Sequence, residues 1–98
     1  MKLSYKRNVK PGKEPGWLLK LTYKVMDKYE SRNLTKEDYD EVFESVKAIA
    51  YEMGGVDNRK QVRSVISVYR LGETAGGKYP IFIARNNILI QTFYIVDL

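Results

Sequence analysis

The sequence predicts an α+β fold, a mainly antiparallel sheet with one amphipathic helix packed on one face, in the order ββαβββ. Three observations carry this. One stretch near the middle has a helical start signal, a helical apolar stripe and a glycine stop. Two β-branched runs at the C-terminal end are joined by Asn86-Asn87. A run at the N-terminal end alternates between apolar and polar residues. At 98 residues the chain is read as one domain, 1–98.

The elements follow in order. Leu3, Tyr5 and Val9 alternate with Lys2, Ser4, Lys6 and Asn8, which reads as a strand with a basic outer face. Pro11-Gly12 and Pro15-Gly16 then mark a turn, because proline presets φ and glycine accepts a positive one. Between Trp17 and Met26, residues Leu19, Leu21, Tyr23 and Val25 alternate with Lys20, Thr22 and Lys24. A helix through Leu18, Leu21 and Val25 would leave Leu19 and Tyr23 outside its stripe. The alternation predicts a second strand, pairing with the first as an N-terminal hairpin.

The helix is expected from Lys36 to Met53. Thr35 and Asp38 form a capping-box pattern, and Leu34 can staple onto Tyr39. Glu37, Asp38, Asp40 and Glu41 favour the positive end of the helix dipole. Tyr39, Val42, Phe43, Val46, Ile49, Ala50 and Met53 make one stripe, and Gly54-Gly55 ends it. Gln61 to Leu71 is β-branched and reads as a strand. Residues 72–77 form a glycine-rich loop. Tyr79 to Arg85 and Ile88 to Val96 are strands around a two-residue turn at Asn86-Asn87, since asparagine tolerates the left-handed region. A regular ladder puts Ile83 opposite Ile90, Ile81 opposite Thr92 and Tyr79 opposite Tyr94. It also makes the last strand apolar on both faces. One helix of about 18 residues spans about 27 Å and cannot cover both faces of such a sheet. A homodimer, or a ligand on the second face, is expected to cover the rest.

The alternative fold is a winged helix. Arg59-Lys60-Gln61-Val62-Arg63 would be a recognition helix capped by Asp57, and the last hairpin the wing. It requires Trp17 to Tyr29 to be helical.

Charge narrows the function classes. The 17 Lys+Arg against 12 Asp+Glu leave a net +5, with no cysteine and no histidine. That excludes thiolate nucleophiles, imidazole bases, disulfides and Cys/His zinc sites. The +5 is the remainder of +6 over residues 1–24, −5 over 25–57 and +4 over 58–98. No apolar run reaches the ~20 residues of a membrane span, and no signal-peptide pattern follows the basic start. A cytoplasmic protein without cofactor is expected, or one of a host-cell cytoplasm if the chain is viral.

The leading expectation is a non-enzymatic nucleic-acid-binding protein. Lys6, Arg7, Lys20, Lys24, Arg59, Lys60, Arg63, Arg70 and Arg85 would neutralise phosphates, with Tyr23 and Tyr69 stacking on bases. Tyr5, Trp17 and Tyr79 are interleaved with the same bases. The plainer reading is a solvated basic face over tyrosines that fill a core. A second class is a protein–protein inhibitor or regulator of a virus or mobile element, with the acidic helix 36–53 as its docking surface. The third class is enzymatic. By pattern alone, about the last 40 residues resemble RelE-like ribonuclease toxins. That resemblance implies metal-independent RNA cleavage, with Arg63, Arg70, Arg85 and Tyr94 as candidates.

Two further patterns dissolve on inspection. Gly72 to Lys78 spells G-x-x-x-x-G-K, but Tyr79 and Pro80 follow where a phosphate loop needs Ser or Thr and a helix. The carboxylates of residues 37–44 lack any calcium-loop spacing and read as a solvated face.

Overall fold

A computed structural model describes residues 1–54 and 64–97. The elements are β1 (Lys2–Arg7), α1 (Gly16–Tyr29), a 3-10 turn (Lys36–Asp38) running into α2 (Tyr39–Met53), β2 (Ile66–Arg70), β3 (Tyr79–Arg85) and β4 (Ile88–Val96). The strands form one antiparallel four-stranded sheet in the order β1-β4-β3-β2. The α+β class stands, with the order βααβββ in place of ββαβββ among the described residues.

The expected strand over Trp17 to Met26 is α1, and the N-terminal hairpin does not form. Leu18, Leu21, Thr22, Val25 and Tyr29 are buried at three- and four-residue spacing. Leu19 and Tyr23, the residues that a helix would leave out of its stripe, are 49% and 72% exposed. The two-residue alternation stops at Val25, whereas the helical stripe runs on to Tyr29. Pro15 and Gly16 precede it and no Gly or Pro interrupts it. Burying Leu18, Leu21 and Val25 stabilises by about 1.5–3 kcal/mol each, and helix pairing is the geometry that buries all three together.

Without that hairpin, β1 pairs with the far end of the chain, Lys2 opposite Val96 through Arg7 opposite Gln91. β4 therefore lies between β1 and β3, so the last hairpin is not a free wing. The helical Trp17–Tyr29 segment meets the winged-helix requirement, while Arg59 to Arg63 lie outside the described residues.

α2 forms where expected. The Asp38 carboxylate accepts from the Thr35 backbone N–H at 2.8 Å and from its hydroxyl at 3.2 Å. Leu34 and Tyr39 are both buried in the core. Gly54 follows the last turn, and a Cβ there would clash with the Ala50 carbonyl. At the second expected turn, Asn86 and Asn87 take φ of 51° and 66°, the left-handed pair that a two-residue hairpin turn requires.

The expected register holds for Arg85 opposite Ile88 and Ala84 opposite Leu89, then slips. A β-bulge between Ile83 and Ala84 sets Ile83 opposite Gln91, Ile81 opposite Phe93 and Tyr79 opposite Ile95. The extra residue, Ile90, joins Phe93 and Ile95 in the core. A regular ladder would have split these three between two faces. The bulge thus removes part of the two-sided apolar character that the sequence suggests for the last strand.

Both helices lie on the same face of the sheet. α1 covers the β1–β4 side, where Gln91 Nε2 donates to Thr22 Oγ1 at 2.8 Å. α2 covers the β2–β3 side, where Tyr39 meets Tyr79 edge-on at 5.3 Å. The helices meet through Tyr29 and Ser45, whose hydroxyl oxygens are 2.7 Å apart. Among the described residues no helix is long and apolar enough to cross a membrane.

Candidate nucleic-acid interface

Strand alternation sorts the remaining residues by face. Cross-strand partners share a face, so Lys6, Thr92, Phe82 and Tyr69 form one row across all four strands, opposite the helices. Ser4, Tyr94 and Pro80 form the adjacent row. Tyr69 and Phe82 stack with centroids 5.1 Å apart at 26°, and Tyr69 is 41% exposed. Lys78 Nζ lies 5.3 Å from the Tyr94 ring centroid. Lys6 is exposed, and Phe82 and Tyr94 are half-buried. The uncovered face therefore presents three aromatic rings, with one ammonium group in the row of Phe82 and Tyr69 and another against Tyr94.

The expected site residues distribute differently from one another. Lys6 and Tyr69 stand on the uncovered face. Lys20, Tyr23 and Lys24 stand on the outward side of α1, across the sheet from them. Arg7 sits on the helix-bearing face, where its Nε donates to Gln91 Oε1 at 2.7 Å. Arg70 is on that face too. It lies 5.0 Å from the Tyr39 centroid and 4.6 Å from the Phe43 centroid, and pairs with Asp40. This engagement fixes β2 to α2. Arg85 is half-buried at the turn end of β3, opposite Ile66 and Ile88. Arg59, Lys60 and Arg63 lie outside the described residues. Trp17 is buried, and Tyr79 packs under Tyr39.

Of the set implied by the RelE-like pattern, Arg63 lies outside the described residues, and Arg70 and Tyr94 do not converge. Arg70 is opposite Ile81 and Tyr94 is opposite Pro80, so the two side chains leave opposite faces of the sheet. Residues 72–78 close as a hairpin loop, with the Thr74 N–H donating to the Lys78 carbonyl at 2.8 Å and Gly77 at φ 75°. Strand β3 follows it, as its residues predict. Four carboxylates of the acidic segment have partners within the molecule, and Asp40, Glu41 and Glu44 stay more than half exposed. Asp38 caps, Asp40 pairs with Arg70, Glu41 is 3.4 Å from Arg32 and Glu44 is 3.5 Å from Lys47. Among the described residues no His, Cys, Asp or Glu cluster is placed to hold a metal ion.

Sequence reasoning missed Phe82 and Lys78 as members of the uncovered face. The alternation Ile81-Phe82-Ile83 was the available signal, because Phe82 must face away from two core isoleucines. Comparison with family models, with curated proteins and with solved structures finds no match to this chain.

Proposed function

We propose that the chain is a non-enzymatic binder of single-stranded nucleic acid, using the sheet face that the helices leave uncovered. One observation supports this most: Lys6, Phe82 and Tyr69 share a row, with Lys78 against Tyr94 beside it. Ammonium groups neutralise phosphates and release counterions, while any base can stack on a ring. Neighbouring diagonal positions such as Phe82 and Tyr94 are about 7–8 Å apart, a reach suited to splayed bases rather than to a duplex groove. Arg7 and Arg70 contribute to holding the fold, so lysines carry the phosphate contacts.

The test is fluorescence anisotropy with a labelled single-stranded oligonucleotide from about 50 to 300 mM salt, the range over which phosphate contacts declare themselves. Binding weakens with salt by about 0.7 log units per log unit for each neutralised phosphate. Tyr69→Ala weakens it by about 1–3 kcal/mol. Absence of binding at the lowest salt, or binding with no salt slope, would overturn the proposal. A homodimer through the same face is the competing use of these rings. It would show as a doubled mass in sedimentation and as competition between self-association and the oligonucleotide.

A further inference from the structure

A cleft of about 400 Å³ lies on the β1 side of the molecule, lined by Tyr5, Arg7, Val9, Pro11 and Glu14. It is separate from the uncovered face, because Tyr5 and Arg7 alternate with Lys6 and leave β1 on the helix side. The local sequence builds it. Tyr5 and Arg7 are two residues apart on one strand. The chain then turns at Gly12, φ 83°, with the Lys13 N–H donating to the Lys10 carbonyl at 2.9 Å. That turn returns Glu14 to the same wall.

The cleft is braced from the core. Arg7 Nε donates to Gln91 Oε1 at 2.7 Å, Gln91 Nε2 donates to Thr22 Oγ1 at 2.8 Å, and Thr22 Oγ1 donates to the Leu18 carbonyl at 2.7 Å. Gln91 is 0% exposed, so this chain of bonds is satisfied inside the protein and fixes the guanidinium from behind. Only Nε is used. The terminal Nη1 stands 3.9 Å from Glu14 Oε1, an ion pair too long for a hydrogen bond. Glu14 Oε2 is buried and accepts no hydrogen bond among the described residues. A buried acceptor without a donor is costly, which favours turning the carboxylate out toward an incoming N–H. The broad torsion of a carboxylate lets it turn to meet one. Tyr5 is 45% exposed, with the Arg7 guanidinium 5.7 Å from its ring centroid.

We infer that this cleft is a guanine site. A flat ring can stack on Tyr5, and its edge then meets a carboxylate beside a guanidinium. Guanine is the common base whose edge carries two adjacent N–H donors next to a carbonyl acceptor. Once the Glu14 carboxylate has turned into the cleft, its two oxygens accept from N1–H and N2–H, while Arg7 donates to O6. Adenine, cytosine and uracil cannot supply two adjacent ring-edge donors to one carboxylate. The same chemistry admits a free guanine nucleotide or a guanine within a strand. The inference does not rest on the sheet-face reading.

The test is calorimetric titration of the full chain with GMP, AMP, CMP, UMP and IMP. GMP is expected to bind saturably. IMP, which lacks the N2 amino group, is expected to bind about tenfold or more weakly, the effect of losing a hydrogen bond to a charged acceptor. Glu14→Gln, which replaces one acceptor by a donor, is expected to erase the GMP preference in a protein that still unfolds cooperatively. The IMP comparison needs no variant, so it decides the matter if Glu14→Gln fails to fold. No GMP binding, equal binding of all five nucleotides, or full GMP preference in a folded Glu14→Gln protein would overturn the inference. A guanine-bearing oligonucleotide that gains affinity over a guanine-free one places the site's guanine in a strand; GMP binding without that gain places it in a free nucleotide. A guanine-free oligonucleotide reports on the sheet face alone. Its binding is expected to fall in Tyr69→Ala and to stay unchanged in Glu14→Gln, so the two readings fail separately.

Discussion

The two faces of the sheet carry the same kinds of residue and use them differently. On the helix side, Arg70 lies over Tyr39 and Phe43 and pairs with Asp40, while Arg7 is tied to Gln91. On the other side, Lys78 lies over Tyr94, Tyr69 stacks on Phe82, and Lys6 stands exposed in their row. Arginine's planar fork suits fixed, half-buried contacts, whereas lysine's hydrated ammonium suits an open surface. The comparison teaches that a net positive charge is not by itself a binding surface. Part of it cements the helices to the sheet, and only the remainder faces outward.

The largest effect that could break this comparison is in core packing. Phe93→Ala on the helix side is expected to cost about 3–5 kcal/mol in urea unfolding, because it opens a cavity under α1. Phe82→Ala on the uncovered side is expected to cost about 1 kcal/mol, mostly its stacking with Tyr69. Equal losses would mean that both faces are packed, as in a face-to-face dimer. Next in size, Arg70→Ala is expected to cost about 1–2 kcal/mol through its two ring contacts, its pair with the exposed Asp40 adding little. Lys78→Ala is expected to stay within about 0.5 kcal/mol. Comparable losses would erase the distinction between fastening and presenting charges.

Tyr39→Phe sharpens the picture of the helix side. Its hydroxyl donates to the buried Pro80 carbonyl, so the variant is expected to lose about 1 kcal/mol. Burial holds the Tyr39 phenol above its ordinary value of 10.0, and burial together with Glu73 does the same for Tyr79. The folded state therefore keeps protons that the unfolded state releases. This stabilisation is full below the ordinary phenol value and is lost as pH rises through the raised folded value. Tyr39→Phe is expected to flatten that alkaline loss in part, read as thermal midpoint against pH. A second pH-linked effect lies at the α2 cap. The Thr35 backbone N–H holds Asp38 below its ordinary value of 3.8. Its contribution is present above that value and lost as pH falls through the lowered one. Asp38→Asn is expected to remove this acid-side slope, leaving the alkaline side unchanged.

What could be read from the sequence divides along local and non-local physics. The α2 cap and the Asn86-Asn87 turn were legible because neighbouring residues alone determine them. Trp17 to Tyr29 was not, because its apolar residues satisfy both periods and tertiary burial made the choice. The partner of β1 was not legible either, since Lys2 meets Val96 at the other end of the chain. The bulge at Ile83 and Ala84 left no local mark, yet it decides which residues of β4 face solvent. The candidate site inherits this division. Lys6 and Tyr69 could be named from composition and alternation. That Arg7 is held by Gln91 and Glu14 could not, because one partner comes from β4 and the other from a turn.

The most direct measurement compares two double variants in the oligonucleotide anisotropy titration. Lys6→Ala with Lys78→Ala removes ammonium groups from the uncovered sheet face, and Lys20→Ala with Lys24→Ala removes them from the outward side of α1. The sheet pair is expected to weaken binding and flatten the salt slope by about 0.7 per lysine that contacts a phosphate. The helix pair is expected to leave both unchanged. Loss of binding in the helix pair with an unaffected sheet pair would contradict the assignment of the uncovered face as the binding surface.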